Sequence, residues 1–180
     1  MQRLSSLDYA DESDTCPYSP SFAPEKLEII LDAKAKGNSA YKNADNKTAI
    51  YEYSRGLDCF DGIINSPSTP TTPPATDLSD TSPLFLLTML LSNRAAAYIN
   101  TLDFERALYD SKGIIKYRPN WVKGYYRKGE SLKGLRQFQL ALDCFSMALT
   151  FDQRSSSIRS NIFKCKFQLE DDENGIKCFF

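Results

Sequence analysis

Four pairs of residues in this chain share one spacing. Ala95 and Gly129, Tyr98 and Leu132, Ala107 and Ala141, and Asn93 and Arg127 each stand 34 residues apart. A period of that length, with small and large apolar residues in step, marks an array of helix–turn–helix units. Ala107 and Ala141 are small where paired helices must approach closely. Leu102, Phe104, Leu108, Phe138, Leu142, Phe145 and Leu149 recur at helical spacing and are expected to form the apolar faces. Pro119 closes one unit just before Trp121, where a proline readily starts the next helix.

An earlier copy of the unit is displaced. Lys34-Ala35-Lys36-Gly37-Asn38-Ser39-Ala40-Tyr41 opens a helix, and Ala49 with Tyr53 marks its partner. From Ala49 to Ala107 is 58 residues, one period plus 24. The surplus falls in residues 61–83, where Pro67, Pro70, Pro73, Pro74 and Pro83 stand among many serines and threonines. Such a stretch cannot pack as a helix and is expected to be a flexible insertion between the first two units.

These residues resemble the tetratricopeptide-repeat family over about Leu27 to Asp152. The resemblance rests on the period, on the Gly37, Ala95 and Gly129 series and on the Ala49, Ala107 and Ala141 series. Gly56 stands where the family prefers alanine, and Gln153 replaces the closing proline of the third repeat. The fold implied is all-α: a right-handed superhelical solenoid of three helix–turn–helix repeats in residues 25–154, closed by a capping helix within residues 155–180. One repeat cannot bury its own apolar face, so three copies and a cap are about the smallest stable array. Residues 155–169 supply the cap, with Ile158, Ile162, Phe163, Cys165 and Phe167 for an apolar side and Arg159, Lys164 and Lys166 for a wet one. Glu170-Asp171-Asp172-Glu173 then breaks the pattern.

Charge divides the chain. Residues 1–32 carry two cations and seven acids, and residues 33–154 carry sixteen cations and twelve acids. Residues 1–24 read as a disordered acidic tail. With no basic start followed by a long apolar run, they are not read as a signal peptide. The mild positive excess of the repeats does not support nucleic-acid binding, but it suits a groove that faces an acidic peptide. The apolar run Leu84 to Leu91 is too short to span a bilayer and is expected to be a buried helix of the second repeat. Cys16, Cys59, Cys144, Cys165 and Cys178 show no paired metal spacing and are read as reduced thiols of a cytoplasmic protein. Cys178 lies one place too late for a prenylation box.

Against this background five residues stand out: Lys34, Asn38, Asn93, Lys123 and Arg127. Residues four apart on a helix share a face, so Lys34 pairs with Asn38 and Lys123 with Arg127. Asn93 holds in the second repeat the place that Arg127 holds in the third. First helices of successive repeats line the concave side of a solenoid, which gathers all five along one groove. A C-terminal aspartate offers two carboxylates on one residue, and these lysine, arginine and asparagine donors match it. Each charge-assisted hydrogen bond contributes about 1.5–3 kcal/mol, so losing one weakens binding by about ten- to a hundredfold. Singly, a lysine or asparagine on a repeat helix is an ordinary solvated residue, and Arg127 has Glu130 within reach on its own helix. Trp121, Tyr125 and Tyr126 read as helix-packing residues, and Tyr117 and Phe151 as helix ends.

The five are similar to the carboxylate clamp of chaperone-binding tetratricopeptide domains. The matching motifs are Lys-x-x-Gly-Asn at Lys34 to Asn38, Asn-Arg-Ala-Ala at Asn93 to Ala96, and Lys-x-Tyr-x-Arg-Lys-Gly at Lys123 to Gly129. The resemblance implies an adaptor or co-chaperone that grips the terminal Glu-Glu-Val-Asp of cytosolic seventy- or ninety-kilodalton heat-shock chaperones, with Tyr41 and Ala96 flanking the peptide's aliphatic residues. No cofactor, metal, nucleic acid or membrane is expected. The chain has no histidine, glycine-rich phosphate loop, nucleophile elbow or paired-cysteine site, so it is not expected to be an enzyme itself. Two alternatives stay open: a scaffold for another acidic tail or helix, and the targeting domain of a larger enzyme such as a phosphatase, prolyl isomerase or ubiquitin ligase.

Overall fold

The computed structural model describes residues 23–60 and 82–173. Residues 1–22 of the expected acidic tail, residues 61–81 of the expected insertion, and residues 174–180 lie outside them; the last residue of that tail, Pro24, instead begins a helix, with Ala23 as its N-cap. Among the described residues there are seven helices and no strand: α1 Pro24–Lys42, α2 Asn46–Asp58, α3 Pro83–Asn100, α4 Phe104–Tyr117, α5 Val122–Gly134, α6 Phe138–Phe151 and α7 Ser156–Glu173. They pair in chain order as three hairpins, and α7 packs on α6. Along the stack α1 meets α3 and α3 meets α5, while α2, α4 and α6 make no comparable contact with one another. α1, α3 and α5 therefore converge on the inner side while α2, α4 and α6 splay outward, which is the curvature of a solenoid.

The repeat governs the turns as well as the helices. Ala44, Leu102 and Arg136 have positive φ values of 59°, 61° and 59°, and they occupy the same register position in the three hairpins. One residue later the backbone N–H of Asp45, Asp103 and Gln137 reaches back to the carbonyls of Ala40, Tyr98 and Leu132 at 3.0, 2.9 and 2.9 Å. That bond closes the first helix of each hairpin in the left-handed capping pattern usually built around glycine. Asp45 and Asp103 then cap the next helix, accepting from the N–H of Thr48 at 3.1 Å and of Arg106 at 3.2 Å. Leu102 is consequently a turn residue, 73 % exposed, and not part of an apolar face. Of the other residues expected on those faces, Phe138 and Phe145 are buried, while Phe104, Leu108, Leu142 and Leu149 are half-buried.

Helix starts depart from expectation in two further places. Pro83, the last residue of the expected insertion, is the first residue of α3, with the Ser82 hydroxyl accepting from the N–H of Phe85 at 3.3 Å. Pro119 starts no helix. It stays in the turn, where the N–H of Trp121 bonds the Arg118 carbonyl at 3.1 Å and α5 begins at Val122.

Packing inside a hairpin depends on bare backbone. A Cβ on Gly37 would lie 2.5 Å from the Tyr53 ring, and one on Gly129 would lie 2.7 Å from the Phe145 ring. Rings seated directly on the inner helix draw the pair together, and Ala49, Ala107 and Ala141 are fully buried at the crossings. Gly56, an apparent departure from the family pattern, is matched by Leu90, whose Cδ1 would lie 2.9 Å from an added Cβ. One cluster, with Ile30, Tyr53, Leu57, Leu86, Leu90 and Ile114, joins the first two hairpins, and another, with Leu132, Phe145, Ala148, Ile158 and Cys165, joins the third to α7. As expected, Leu84 to Leu91 lies in the helix that feeds the first cluster. The cap departs from expectation in two ways. Its helix continues through the acids to Glu173, and it buries Ile158 and Cys165 while leaving Phe163 and Phe167 outside.

A buried ion pair ties the second hairpin to the first. Arg94 donates from Nε to Asp110 Oδ2 at 2.8 Å and from Nη2 to Asp110 Oδ1 at 2.7 Å, while Nη1 reaches Ser54 Oγ on α2 at 2.9 Å. The Asp110 side chain is 1 % exposed. Replacing Asp110 by alanine strands the guanidinium, which costs about 3–5 kcal/mol. Urea unfolding of Asp110→Ala at neutral pH is expected to show a loss of that order, and a loss below about 1 kcal/mol would mean that water replaces the carboxylate.

Candidate functional site

Lys34 and Asn38 lie on α1, Asn93 on α3, and Lys123 and Arg127 on α5, the three helices of the inner side. Lys123 is exposed and the other four are half-buried. The two asparagines are in direct contact. Asn38 Oδ1 accepts from Asn93 Nδ2 at 2.9 Å and from the Tyr53 hydroxyl at 2.9 Å. With both acceptor positions of that carbonyl taken, the Asn38 amide is oriented, and its two N–H donors are turned away from Tyr53. Asn93 spends one N–H on Asn38 and keeps the other.

Tyr53 was not expected to act at this site, although Gly37 beside Asn38 in the motif is what admits its ring. The phenol is 1 % exposed. Burial, and then the neighbouring Tyr41 phenol, push its pKa up to about 12, with the Asn93 amide acting the other way. It therefore remains a donor to Asn38 throughout the neutral and mildly alkaline range.

The cations are linked through rings. Lys34 Nζ lies 5.9 Å from the centre of Phe85, and Arg118 Cζ lies 5.7 Å from the same ring. Arg118 Cζ is also 4.5 Å from the centre of Trp121, over which Lys123 Nζ lies at 5.6 Å. Lys34 and Lys123 thus stand at the two ends of a ladder of alternating cations and aromatic rings, each contact attractive through the ring quadrupole. Arg118, one residue before Pro119, escaped the sequence reading because no repeat position pointed to it. Its Nη1 is buried with no hydrogen-bond partner, and burial lowers its pKa.

Arg127 is already paired. Its Nη1 meets Glu130 Oε2 at 3.0 Å, with the two side chains 25 % and 19 % exposed, while its Nε is buried without a partner. The pair within one helix considered from sequence is thus present, and the guanidinium still has unused donors. Tyr126, packed edge-on to Phe145, has its pKa raised chiefly by burial. Of the two residues expected to flank a peptide's aliphatic side chains, Tyr41 is half-buried against the first core cluster and Ala96 is only 4 % exposed. Chemically the inner side offers an oriented amide pair, two lysines and a partly engaged arginine, a donor set for a carboxylate-rich ligand.

No family model matches the sequence. The chain is 29 % identical over 133 residues to a heat shock protein sti1 homolog of Schizosaccharomyces pombe, an alignment that covers 73 % of this chain and 18 % of that protein. Its fold is similar to that of the Hsp90 co-chaperone Cns1 from Saccharomyces cerevisiae, with a TM-score of 0.68 and 22 % identity over 85 % of this chain and 43 % of the other. It is similar also to the first repeat domain of Spaghetti (RPAP3) bound to the HSP90 peptide SRMEEVD, with a TM-score of 0.62 and 21 % identity over 80 % of this chain and 95 % of that one. At these identities the structural likenesses show the fold. The chain spans less than a fifth of the length of the sti1 homolog.

The Tyr53 proton gives a measurable signature. A phenol at about 12 in the folded protein, against about 10 unfolded, makes the folded state hold its proton more tightly. The associated stability is complete below about pH 10 and is lost as pH rises toward 12, a swing on the order of 2–3 kcal/mol. Denaturant unfolding is expected to show wild type losing stability over that range faster than Tyr53→Phe. Parallel pH profiles would mean that the phenol is not protected.

Proposed function

We propose that this chain, a tetratricopeptide-repeat domain, grips the free C-terminus of an acidic peptide between α1, α3 and α5, and so serves as an adaptor or co-chaperone for cytosolic heat-shock chaperones of the seventy- or ninety-kilodalton class. The observation that carries the reading is the Asn38–Asn93 pair, held by Tyr53 with amide donors to spare, among cations on the neighbouring helices. The likeness to a sti1 homolog, and to a repeat domain with SRMEEVD bound, supports the same ligand class.

On this reading Lys34 and Asn38 meet one end of the terminal aspartate, Asn93 bridges, and Lys123 with Arg127 hold the other carboxylate. Arg127 keeps its bond to Glu130 and spends its remaining N–H groups on the peptide. Tyr41 contributes an apolar wall beside the last aliphatic residue, and Ala96 contributes only its small exposed edge. Two carboxylates on one residue exist only at a chain end, so the groove selects a terminus over an internal acidic segment. An internal helix or other acidic tail is the alternative ligand, and the Arg127–Glu130 pair is the feature that favours it, because it already satisfies part of the cation.

Titration calorimetry with a peptide ending Met-Glu-Glu-Val-Asp, and with the same peptide as its C-terminal amide, separates the readings. The free acid is expected to bind at least about tenfold more tightly than the amide. Lys123→Ala is expected to lose about ten- to a hundredfold in affinity with its helical circular dichroism intact. Equal affinity for acid and amide, or no binding of either by a folded wild-type protein, would sink the free-terminus reading and leave the internal-segment alternative.

A further inference from the structure

The 34-residue register continues past the third hairpin. Asn93 on α3 and Arg127 on α5 are followed, one period further on, by Asn161 on α7. The capping helix thus carries a polar side chain at the position that lines the groove on the two inner helices before it. Asn93 and Arg127 are half-buried, whereas Asn161 is only 6 % exposed. A buried amide must find its hydrogen bonds inside the protein, and the partners of this one lead back to Arg127.

Asn161 Oδ1 accepts from Lys133 Nζ at 2.5 Å, and Asn161 Nδ2 donates to the Tyr126 hydroxyl at 3.3 Å. An ammonium can only donate, so Lys133 fixes which end of the amide faces it and turns the N–H groups toward Tyr126. The Tyr126 ring is also held edge-on by Phe145, with centroids 5.8 Å apart. Arg127 Cζ lies 5.7 Å from the centre of the Tyr126 ring, while its Nη1 meets Glu130 Oε2 at 3.0 Å. The guanidinium is therefore braced by an acid and by an aromatic ring, and the hydroxyl of that ring is tied to the cap. Burial first, and then the charge of Glu130, raise the Tyr126 pKa, which places the acid beside the phenol as well as the guanidinium.

We propose that Asn161, acting through Tyr126, is a positioning residue for Arg127, so that the capping helix sets the direction in which this guanidinium presents its free N–H groups. A guanidinium is planar and its donors form a fixed fork, so a small rotation moves all of them together. Glu130 fixes one edge of the plane and leaves it able to swing about that edge, and the Tyr126 ring limits the swing. Without the bond from Asn161 the ring gains freedom, and the guanidinium follows it. A ligand then has to supply ordering that the wild-type protein already provides. The consequence for peptide affinity rests on the function proposed above, whereas the link from α7 to Arg127 does not.

Two variants of the full chain test the link. Asn161→Leu keeps the volume and removes both bonds, and Tyr126→Phe keeps the ring and removes only the hydroxyl. Arg127 Nε is a buried atom, so its N–H is expected to exchange slowly with water in the ligand-free protein. NMR is expected to find that exchange about tenfold faster in either variant. Calorimetry with the peptide ending Met-Glu-Glu-Val-Asp is expected to show an affinity loss of about two- to thirtyfold for each, and no greater loss when the two are combined. In an Arg127→Ala background, Asn161→Leu is expected to cost no further affinity, a result that general weakening of the fold would not give. Unchanged Arg127 exchange in both variants overturns the proposal. So does an affinity loss for Asn161→Leu that persists in full without Arg127. Equal wild-type affinity for the free acid and its amide sinks the peptide reading alone, and the exchange rate then decides the link by itself.

Discussion

An aromatic ring resting on helix backbone, where no Cβ stands in the way, sets the geometry on which the rest of this molecule depends. Tyr53 lies on Gly37 in the first hairpin and Phe145 on Gly129 in the third. That contact draws outer and inner helices together and buries the alanines at the crossings. It also decides which way the next residue points. Asn38 follows Gly37, so the ring that needs the glycine delivers its hydroxyl to the asparagine carbonyl. Packing and site preparation are one event here, and an alanine at position 37 would disturb both.

The groove gains its character from groups partly committed elsewhere. Asn38 is oriented by two donors, Arg127 is held by Glu130, and Lys34 and Lys123 lean on rings. Such restraint lowers the side-chain entropy that the proposed peptide would cost on binding. Arg118 extends the positive field between the two lysines without an acid to balance it among the described residues.

Much of this was legible in the chain. The 34-residue spacing predicted the hairpins, and the displaced first copy predicted an insertion ahead of α3, whose far end proved to be the proline that starts that helix. All five groove candidates fall on the inner helices because residues one period apart must occupy equivalent places in a stack. What escaped notice had no periodic mark or depended on a neighbour. Leu102 has the composition of a core residue and the backbone of a turn. Phe163 and Phe167 match a buried stripe in hydropathy, yet a stripe is buried only if another helix covers it.

By itself, then, the sequence determined what is periodic and local: helix positions, hairpin pairing, and the residues that share the inner side. Spacing along a helix translates directly into a shared face, so those features need no knowledge of distant contacts. Only the tertiary structure decided what depends on contact between separate elements. The Asn38–Asn93 bond joins residues 55 apart, and the Arg94–Asp110 pair with Ser54 spans three helices. The placement of Arg118 between Phe85 and Trp121 is of the same kind. Each arises because packing brings together groups that no period relates, and the strength of each is set by how fully its surroundings exclude water.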